Sequence, residues 1–267
     1  MDEPQEPFAD DPGSHESTAP ESFLRAFGPN FLAFGIGLAL AYFLKWETTD
    51  LVWSLWLTSL VVGYATILAT AVGAGWVGVV ITRQPEFDPS LRFVAILGGL
   101  GFGLFYVGFF SLHFCGFHAG HSVFLNSFFP VEGIPKDGFG NAFMNPLLLW
   151  KQVFQYLIVP YGAFLIPAFI VERKHLMAPF IGGSRIMSGG LEGIKKMKKK
   201  DANGLGAGMM RPYVNVIRMH ILIFFFAACQ FLKVDSFMIY IVVSTVYFFP
   251  WSDLRKFRQS RKPAEGE

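Results

Sequence analysis

Long blocks of sequence without a charged residue constrain this chain more than any other feature. Residues 51–82 contain no Asp, Glu, Lys or Arg, and residues 93–135 contain only Glu132. A run of about 18 or more apolar residues is long enough to cross a bilayer as a helix. Charged residues make up 16% of the 267 residues, whereas soluble domains carry about 25%. The sequence therefore predicts an all-α integral membrane protein.

Six apolar segments are predicted to span the membrane and to form one membrane domain over residues 27–253. They are residues 27–44, 51–80, 93–130, 147–171, 213–232 and 236–250. A crossing takes about 20 residues, so the second and third segments are long enough to tilt, bend or project, and the sixth is short. Residues 1–26 are acidic and rich in Pro and Ser, which predicts a disordered tail and not a signal peptide.

The distribution of lysine and arginine predicts the orientation of the chain. The polar connection at residues 172–212 contains nine of them, and the basic C-terminal tail at residues 254–267 contains five. The loops on the other side contain only Lys45, Lys136 and Lys233. The positive-inside rule therefore places both termini in the cytoplasm.

A cluster of lysines in that connection has two interpretations. Its members are Lys195, Lys196, Lys198, Lys199 and Lys200. They form either a solvated stretch that only fixes the orientation, or a patch that binds anionic lipid headgroups. The formal net charge of +2 gives no argument for nucleic-acid binding. The bilayer is thus the predicted partner, and the sequence identifies no protein partner.

Histidines in the apolar segments are the main candidates for chemistry, because ionisable groups at membrane depth are costly and often functional. His113, His118 and His121 lie in the third segment, and His220 lies early in the fifth. On an ideal helix the first three share one broad face, so His118 and His121 can share a metal ion with Cys115 as a soft ligand. The interpretation that we favour is structural: the ring nitrogens hydrogen-bond to neighbouring helices or lie at the outer interface.

A haem or a tight metal site needs a further ligand from another helix. His113 and His121 are separated by about 12 Å of helix rise and cannot both ligate one iron axially. His220 is the only other histidine in a span, but it lies about two turns from the predicted start of its helix, whereas His113 lies a full crossing beyond Arg92. Depth argues against pairing unless the third segment projects from the membrane or bends at Gly116.

Glycines in the third segment predict a surface for close helix packing. Gly99 and Gly103, like Gly116 and Gly120, have the spacing that lets two helix backbones approach each other. A phosphate-binding loop at residues 98–103 is not supported, because no Lys or Ser/Thr follows at the required spacing.

Catalytic motifs are absent from the sequence. It contains no HExxH pair, no GxSxG elbow and no Walker motif, and the predicted spans contain no Asp or Glu for a proton relay. Cys115 and Cys229 lie in apolar stretches and are expected to be inert core thiols. We therefore expect a non-enzymatic membrane component, either an assembly partner or a protein that handles lipid or a small solute. The alternative is a metal- or haem-binding membrane redox protein built on the histidines.

Two blocks of the sequence resemble a family of uncharacterised bacterial polytopic membrane proteins, a domain of unknown function. Residues 109–117 read FFSLHFCGF and are followed by His121, which is similar to an aromatic helix of that family with two histidines eight residues apart. Residues 211–220 read RPYVNVIRMH and resemble its Pro-Tyr segment that leads into a helix with a histidine. The resemblance implies a bacterial cytoplasmic membrane protein, no assigned activity, and a family-like set of His113, His121 and His220.

Overall fold

The protein is helical throughout the part that its computed structural model describes, which is residues 23–135, 137–195, 199–234 and 237–248. These ranges contain no strand, which confirms the predicted all-α class. The helices are α1 (Phe23–Phe43), α2 (Thr48–Thr82), α3 (Arg92–Phe128), α4 (Gly138–Asn141), α5 (Pro146–Gln152), α6 (Ile158–Tyr161), α7 (Leu165–Lys195), α8 (Lys199–Phe231) and α9 (Phe237–Phe248). A turn of π-helix at Val153–Leu157 joins α5 to α6, and a turn of 3-10 helix at Gly162–Phe164 joins α6 to α7. Residues 23–26 of the predicted N-terminal tail belong to α1, and the rest of both predicted tails lies outside the described residues.

Three helical stretches are long and apolar enough to cross a membrane, namely Thr48–Thr82, Pro89–Phe128 and Pro146–Ile181. Two shorter apolar helices cover Gly28–Phe43 and Val216–Phe231. At about 1.5 Å per residue, α2 and α3 are each longer than about 50 Å, whereas the hydrocarbon core is about 30 Å thick. These helices indicate a membrane-embedded protein. The number of six crossings stays a prediction.

Polar groups fix both ends of the hairpin formed by α2 and α3. The backbone N–H of Glu47 donates to the Asp50 carboxylate at 2.9 Å, which satisfies an amide that the helix start leaves unpaired. In the connection to α3, the Asp88 carboxylate accepts bonds from the hydroxyl of Ser90 at 2.8 Å and from its backbone N–H at 2.9 Å. These two bonds, the hydroxyl bond first, lower the pKa of the Asp88 carboxyl. Asp88 is thus kept ionised as the cap of the turn that enters α3.

The central helix of the described bundle is α2, which packs against α3, α7 and α8. Its contacts with α3 show that these two helices run antiparallel. Near the start of α2, the Trp53 indole N–H donates to the Phe129 carbonyl at 2.8 Å. Further along, the hydroxyls of Tyr64 and Ser111 are 2.9 Å apart. The predicted second and third spans therefore form a hairpin.

The helical stretch that begins at Pro146 reverses its direction relative to α2. Three contacts show this: Trp150 with Tyr64, Phe164 with Trp46, and Pro179 with Gly73. Thus α5 and α6 run back toward the start of α2, the 3-10 turn redirects the chain, and α7 runs parallel to α2. The fourth predicted span, residues 147–171, contains this reversal. Such reversals follow from tertiary contacts and leave no signal in hydropathy.

Helix α1 runs antiparallel to α7, because Gly37 packs on Phe164 and the guanidinium of Arg173 donates to Asn30 Oδ1 at 3.2 Å. The Tyr240 hydroxyl of α9 donates to the Gly37 carbonyl. Helix α8 runs alongside α3 in the same direction, as shown by the contacts of Phe110 with Tyr213 and of Phe129 with Phe226. The directions of α1, α2, α3, α7 and α8 therefore alternate along the chain.

The glycines with the closest neighbours lie on α2 and not on α3. A Cβ at Gly63 or at Gly73 of α2 would lie 2.3 Å from another side chain. Of the glycines with the predicted spacing on α3, Gly116 approaches the Met144 sulfur at 3.7 Å. Among the described residues, no atom lies within 4 Å of a Cβ built at Gly99 or Gly103. Close packing at that pair therefore stays a prediction.

Candidate functional site

His118 is fully buried and both of its ring nitrogens have partners. Nδ1 lies 3.0 Å from the Phe114 carbonyl, and Nε2 lies 3.1 Å from the Ser59 hydroxyl of α2. Because a carbonyl only accepts, Nδ1 donates to it, and Nε2 of the neutral ring accepts the Ser59 proton. His118 thus links α3 to α2 as a satisfied hydrogen-bonding residue. This arrangement is the structural interpretation that the sequence analysis favoured.

Aromatic rings pack beside His118. The indole N–H of Trp56 donates to the His118 carbonyl at 3.1 Å, and its ring meets the His118 imidazole edge to face. Trp56 in turn contacts Trp53, which stacks on Phe139 of α4. All four residues are completely or almost completely buried. The rings therefore hold α2, α3 and α4 in one packed unit.

The second histidine contact joins α3 to α8. The Nε2 atoms of His121 and His220 are 3.1 Å apart, and His220 Nδ1 lies 2.9 Å from the Val216 carbonyl. His220 must donate from Nδ1, so its Nε2 is a lone pair and His121 donates to it from its own Nε2. The remaining nitrogen, His121 Nδ1, is buried and has no hydrogen-bond partner among the described residues. This pair is thus incompletely satisfied, in contrast to His118.

The contact between His121 and His220 corrects the depth argument made from the sequence. That argument started the fifth span at Tyr213, but α8 begins at Lys199, so His220 lies well inside a long helix. His121 lies in the last third of α3. The two parallel helices therefore bring the histidines to the same level without a break in α3 at Gly116. His220 is therefore the histidine from another helix that a shared site needs, but it contacts His121 and not His113.

His113 lies apart from the other histidines. Its ring stacks on Phe109 at a centroid distance of 5.4 Å and meets Phe117 and Tyr213 edge to face, and the residue is exposed. The structure thus does not bring together His113 and His121, the pair that the resemblance marked. Among the described residues, no group of three or more His, Cys, Asp or Glu side chains can hold a metal ion.

Neither cysteine forms a metal site with His118, His121 or His220 among the described residues. Cys115 and Cys229 are free and buried, in agreement with the expectation of core thiols. The soft ligand set of His118, His121 and Cys115 is not assembled, because both nitrogens of His118 already have partners.

A cleft of about 80 Å³ opens between α2, α7 and α8. It is lined by Leu55, Thr58, Ser59, Val62, Ala168, Val171, Glu172, Arg218, Met219 and Leu222. Most of the lining is apolar, and the exceptions are two hydroxyls on α2, one carboxylate on α7 and one guanidinium on α8. The Thr58 hydroxyl is buried and has no hydrogen-bond partner among the described residues. The sequence did not indicate this site, because Glu172 was placed at the start of the polar connection and Arg218 near the start of the fifth predicted span.

The lysines predicted to meet lipid headgroups flank the boundary between α7 and α8. Lys195 is the last residue of α7, and Lys199 and Lys200 begin α8. Their side chains, and Lys196 and Lys198 as a whole, lie outside the described residues. The predicted headgroup contact therefore stays a prediction.

The helices and the buried polar contacts define this chain as a helical membrane protein whose polar groups lie between its helices. Residues 36–248 match the model of a family described as "Family of unknown function (DUF6498)". The match covers most of the sequence, and the chain belongs to this family. This confirms the resemblance to an uncharacterised family. No curated protein and no solved structure matches the sequence significantly.

Proposed function

We propose that this protein is a non-enzymatic membrane component that binds a phospholipid in the cleft between α2, α7 and α8. The observation that carries the proposal is the lining of that cleft, which combines apolar walls with one acidic and one basic side chain. Apolar pockets with a few placed polar groups are typical ligand sites. A cleft between the helices of a membrane protein is also surrounded by bilayer lipids, which are the most abundant molecules that could enter it.

The two parts of the cleft suit the two parts of a zwitterionic lipid. Val62, Ala168 and Leu222 provide an apolar surface for a segment of one acyl chain, and because the cleft has a volume of only about 80 Å³, the rest of the lipid stays in the bilayer. The guanidinium of Arg218 suits the phosphate, because arginine binds phosphate oxygens with paired donors. The Glu172 carboxylate suits an ammonium group. Glu172 and Arg218 already take part in interactions within the protein, so the headgroup would join these and not meet free charges. The unpartnered Thr58 hydroxyl offers a further hydrogen bond to the headgroup.

Ser59, which lines the cleft, contacts the buried His118 at 3.1 Å, as a nucleophile contacts a base. Acyl transfer also requires hydrogen-bond donors for the oxyanion. Ser59 lies inside α2, where backbone N–H groups are used by the helix itself. Ser59 and His118 are therefore interpreted as a link between α2 and α3. Labelling of Ser59 by a fluorophosphonate would contradict the non-enzymatic part of the proposal.

Filling the cleft is expected to remove lipid binding. Ala168→Phe places a ring against the apolar wall, so phospholipid retained through purification in detergent should fall, and added phospholipid should no longer raise the unfolding temperature. Retained lipid is measured by mass spectrometry and the unfolding temperature by a thermal scan. Ala95→Phe is the matched control, because Ala95 is exposed on α3.

A second pair of variants keeps this test decisive if Ala168→Phe does not fold. Arg218→Ala and Glu172→Gln change the charged groups of the cleft without filling it. Both are expected to weaken stabilisation by a phospholipid with a zwitterionic headgroup. Equal stabilisation of the wild type and all three cleft variants would overturn the proposal.

We further propose six crossings, with both termini in the cytoplasm of a bacterial cell and the lysine cluster against anionic headgroups. The alternating directions of five helices and the Lys/Arg asymmetry support this topology. Reporter fusions after Lys136 and after Lys200 are expected to report opposite sides of the membrane. The same side for both fusions would contradict the topology.

A further inference from the structure

We infer that His121 and His220 form a two-histidine site for a borderline transition-metal cation such as Zn²⁺. The inference starts from the contact of their Nε2 atoms at 3.1 Å. It does not rest on the proposed lipid cleft, since neither histidine lines it.

The separation of the two nitrogens suits ligation of one ion. Zinc–nitrogen bonds are about 2.0 to 2.1 Å long, so a gap of 3.1 Å corresponds to a nitrogen–metal–nitrogen angle of roughly 100°. That angle lies close to the tetrahedral value. Two axial ligands of a haem iron lie on opposite sides of it and about 4 Å apart, which is twice a metal–nitrogen bond. The geometry therefore favours a small ion over haem.

His220 is oriented as a metal ligand requires. Its Nδ1 is held by the Val216 carbonyl at 2.9 Å, which fixes the tautomer and directs the Nε2 lone pair at His121. Ligating histidines nearly always have such a partner on the other nitrogen. His118 has the same carbonyl contact but directs its Nε2 at Ser59. Only the pair of His121 and His220 thus directs two Nε2 atoms at one point.

The second nitrogen of His121 shows that a plain hydrogen bond does not satisfy the pair. A buried polar atom without a partner is rare and calls for an explanation such as a bound ion or water. With a proton between the two rings, His121 Nδ1 is a buried lone pair with no donor among the described residues. A cation at both Nε2 atoms moves that proton to Nδ1, which then has to donate to a water or another acceptor, as the second nitrogen of a ligating histidine does.

Access and charge decide the kind of ion. No third His, Cys, Asp or Glu completes the set within the described ranges, so the other coordination positions are left to water or a small anion. His220 is exposed, and His121 lies about 10 Å from the end of α3 at 1.5 Å per residue. Water that completes the coordination would have to reach the pair from that end of the helix. Imidazole ligands suit Zn²⁺ and Cu²⁺ better than Mg²⁺ or Ca²⁺.

The test is zinc binding by the full chain, purified in detergent and stripped with a chelator. We expect one saturable Zn²⁺ per chain and weaker affinity, by at least about tenfold, in His121→Ala and in His220→Ala. His113→Ala is the control on α3 and should keep the wild-type affinity, because His113 contacts neither histidine of the pair. Absorption of bound Co²⁺ provides a second readout of nitrogen ligation.

His220→Gln distinguishes a metal site from a plain hydrogen bond. Glutamine can still accept a bond from His121 but removes one imidazole ligand. We expect it to preserve the unfolding temperature in the absence of metal and to lose the zinc-dependent increase. Two results would overturn the inference: no saturable binding by the wild type, or equal binding by the double variant His121→Ala/His220→Ala.

Discussion

Replacing His118 with alanine is expected to lower the free energy of unfolding by about 2 to 4 kcal/mol. The imidazole is fully buried, so its removal leaves a cavity beneath Trp56 and leaves the Ser59 hydroxyl without its partner. The measurement is thermal or denaturant unfolding of purified protein in detergent. Ser59→Ala removes only the hydroxyl and should have a smaller effect.

His113→Ala is the control for this prediction. His113 is exposed, and within the described part of the chain its contacts are with aromatic rings, so its loss should cost less than about 1 kcal/mol. The resemblance had given His113 and His121 more weight than His118. The geometry now predicts that His118 contributes the most to stability, and an effect of His113→Ala that equals or exceeds that of His118→Ala would show that this ranking is wrong.

The long helices could be predicted from the sequence because the cost of burying charge in lipid is independent of tertiary structure. The charge-free blocks therefore mark α2 and α3 directly, and the predicted third span of residues 93–130 differs from Arg92–Phe128 by only a few residues. The helical structure of residues 199–212 was missed. This stretch contains Gly204, Gly206 and Gly208, which are typical of a loop.

That error propagated to the candidate site. Starting α8 at Lys199 changes the depth of His220, and only the register between α3 and α8 decides which histidine it meets. Register depends on packing over the whole helix pair, so no local spacing predicts it. The cleft could not be predicted from the sequence for the same reason. Glu172 and Arg218 are distant in sequence and line one cleft only because α7 and α8 both pack against α2.

Adding a single methyl group at the contact between α2 and α7 is expected to lower the free energy of unfolding. In Gly73→Ala the new Cβ would lie 2.3 Å from Pro179 Cβ and 3.2 Å from the Pro179 backbone. The proline ring cannot rotate away, so the two helices must separate, and we expect a loss of about 1 to 3 kcal/mol in unfolding free energy.

Gly75→Ala is the matched control for this contact, because it makes the same chemical change on the same helix. A Cβ at Gly75 meets no atom of the described residues within 4 Å. The alanine should be neutral or stabilise the protein by up to about 1 kcal/mol, since glycine is the weaker helix former. Unfolding of both variants in detergent measures the difference. Equal stability of the two would mean that α2 and α7 do not approach as closely at Gly73 as the contact requires.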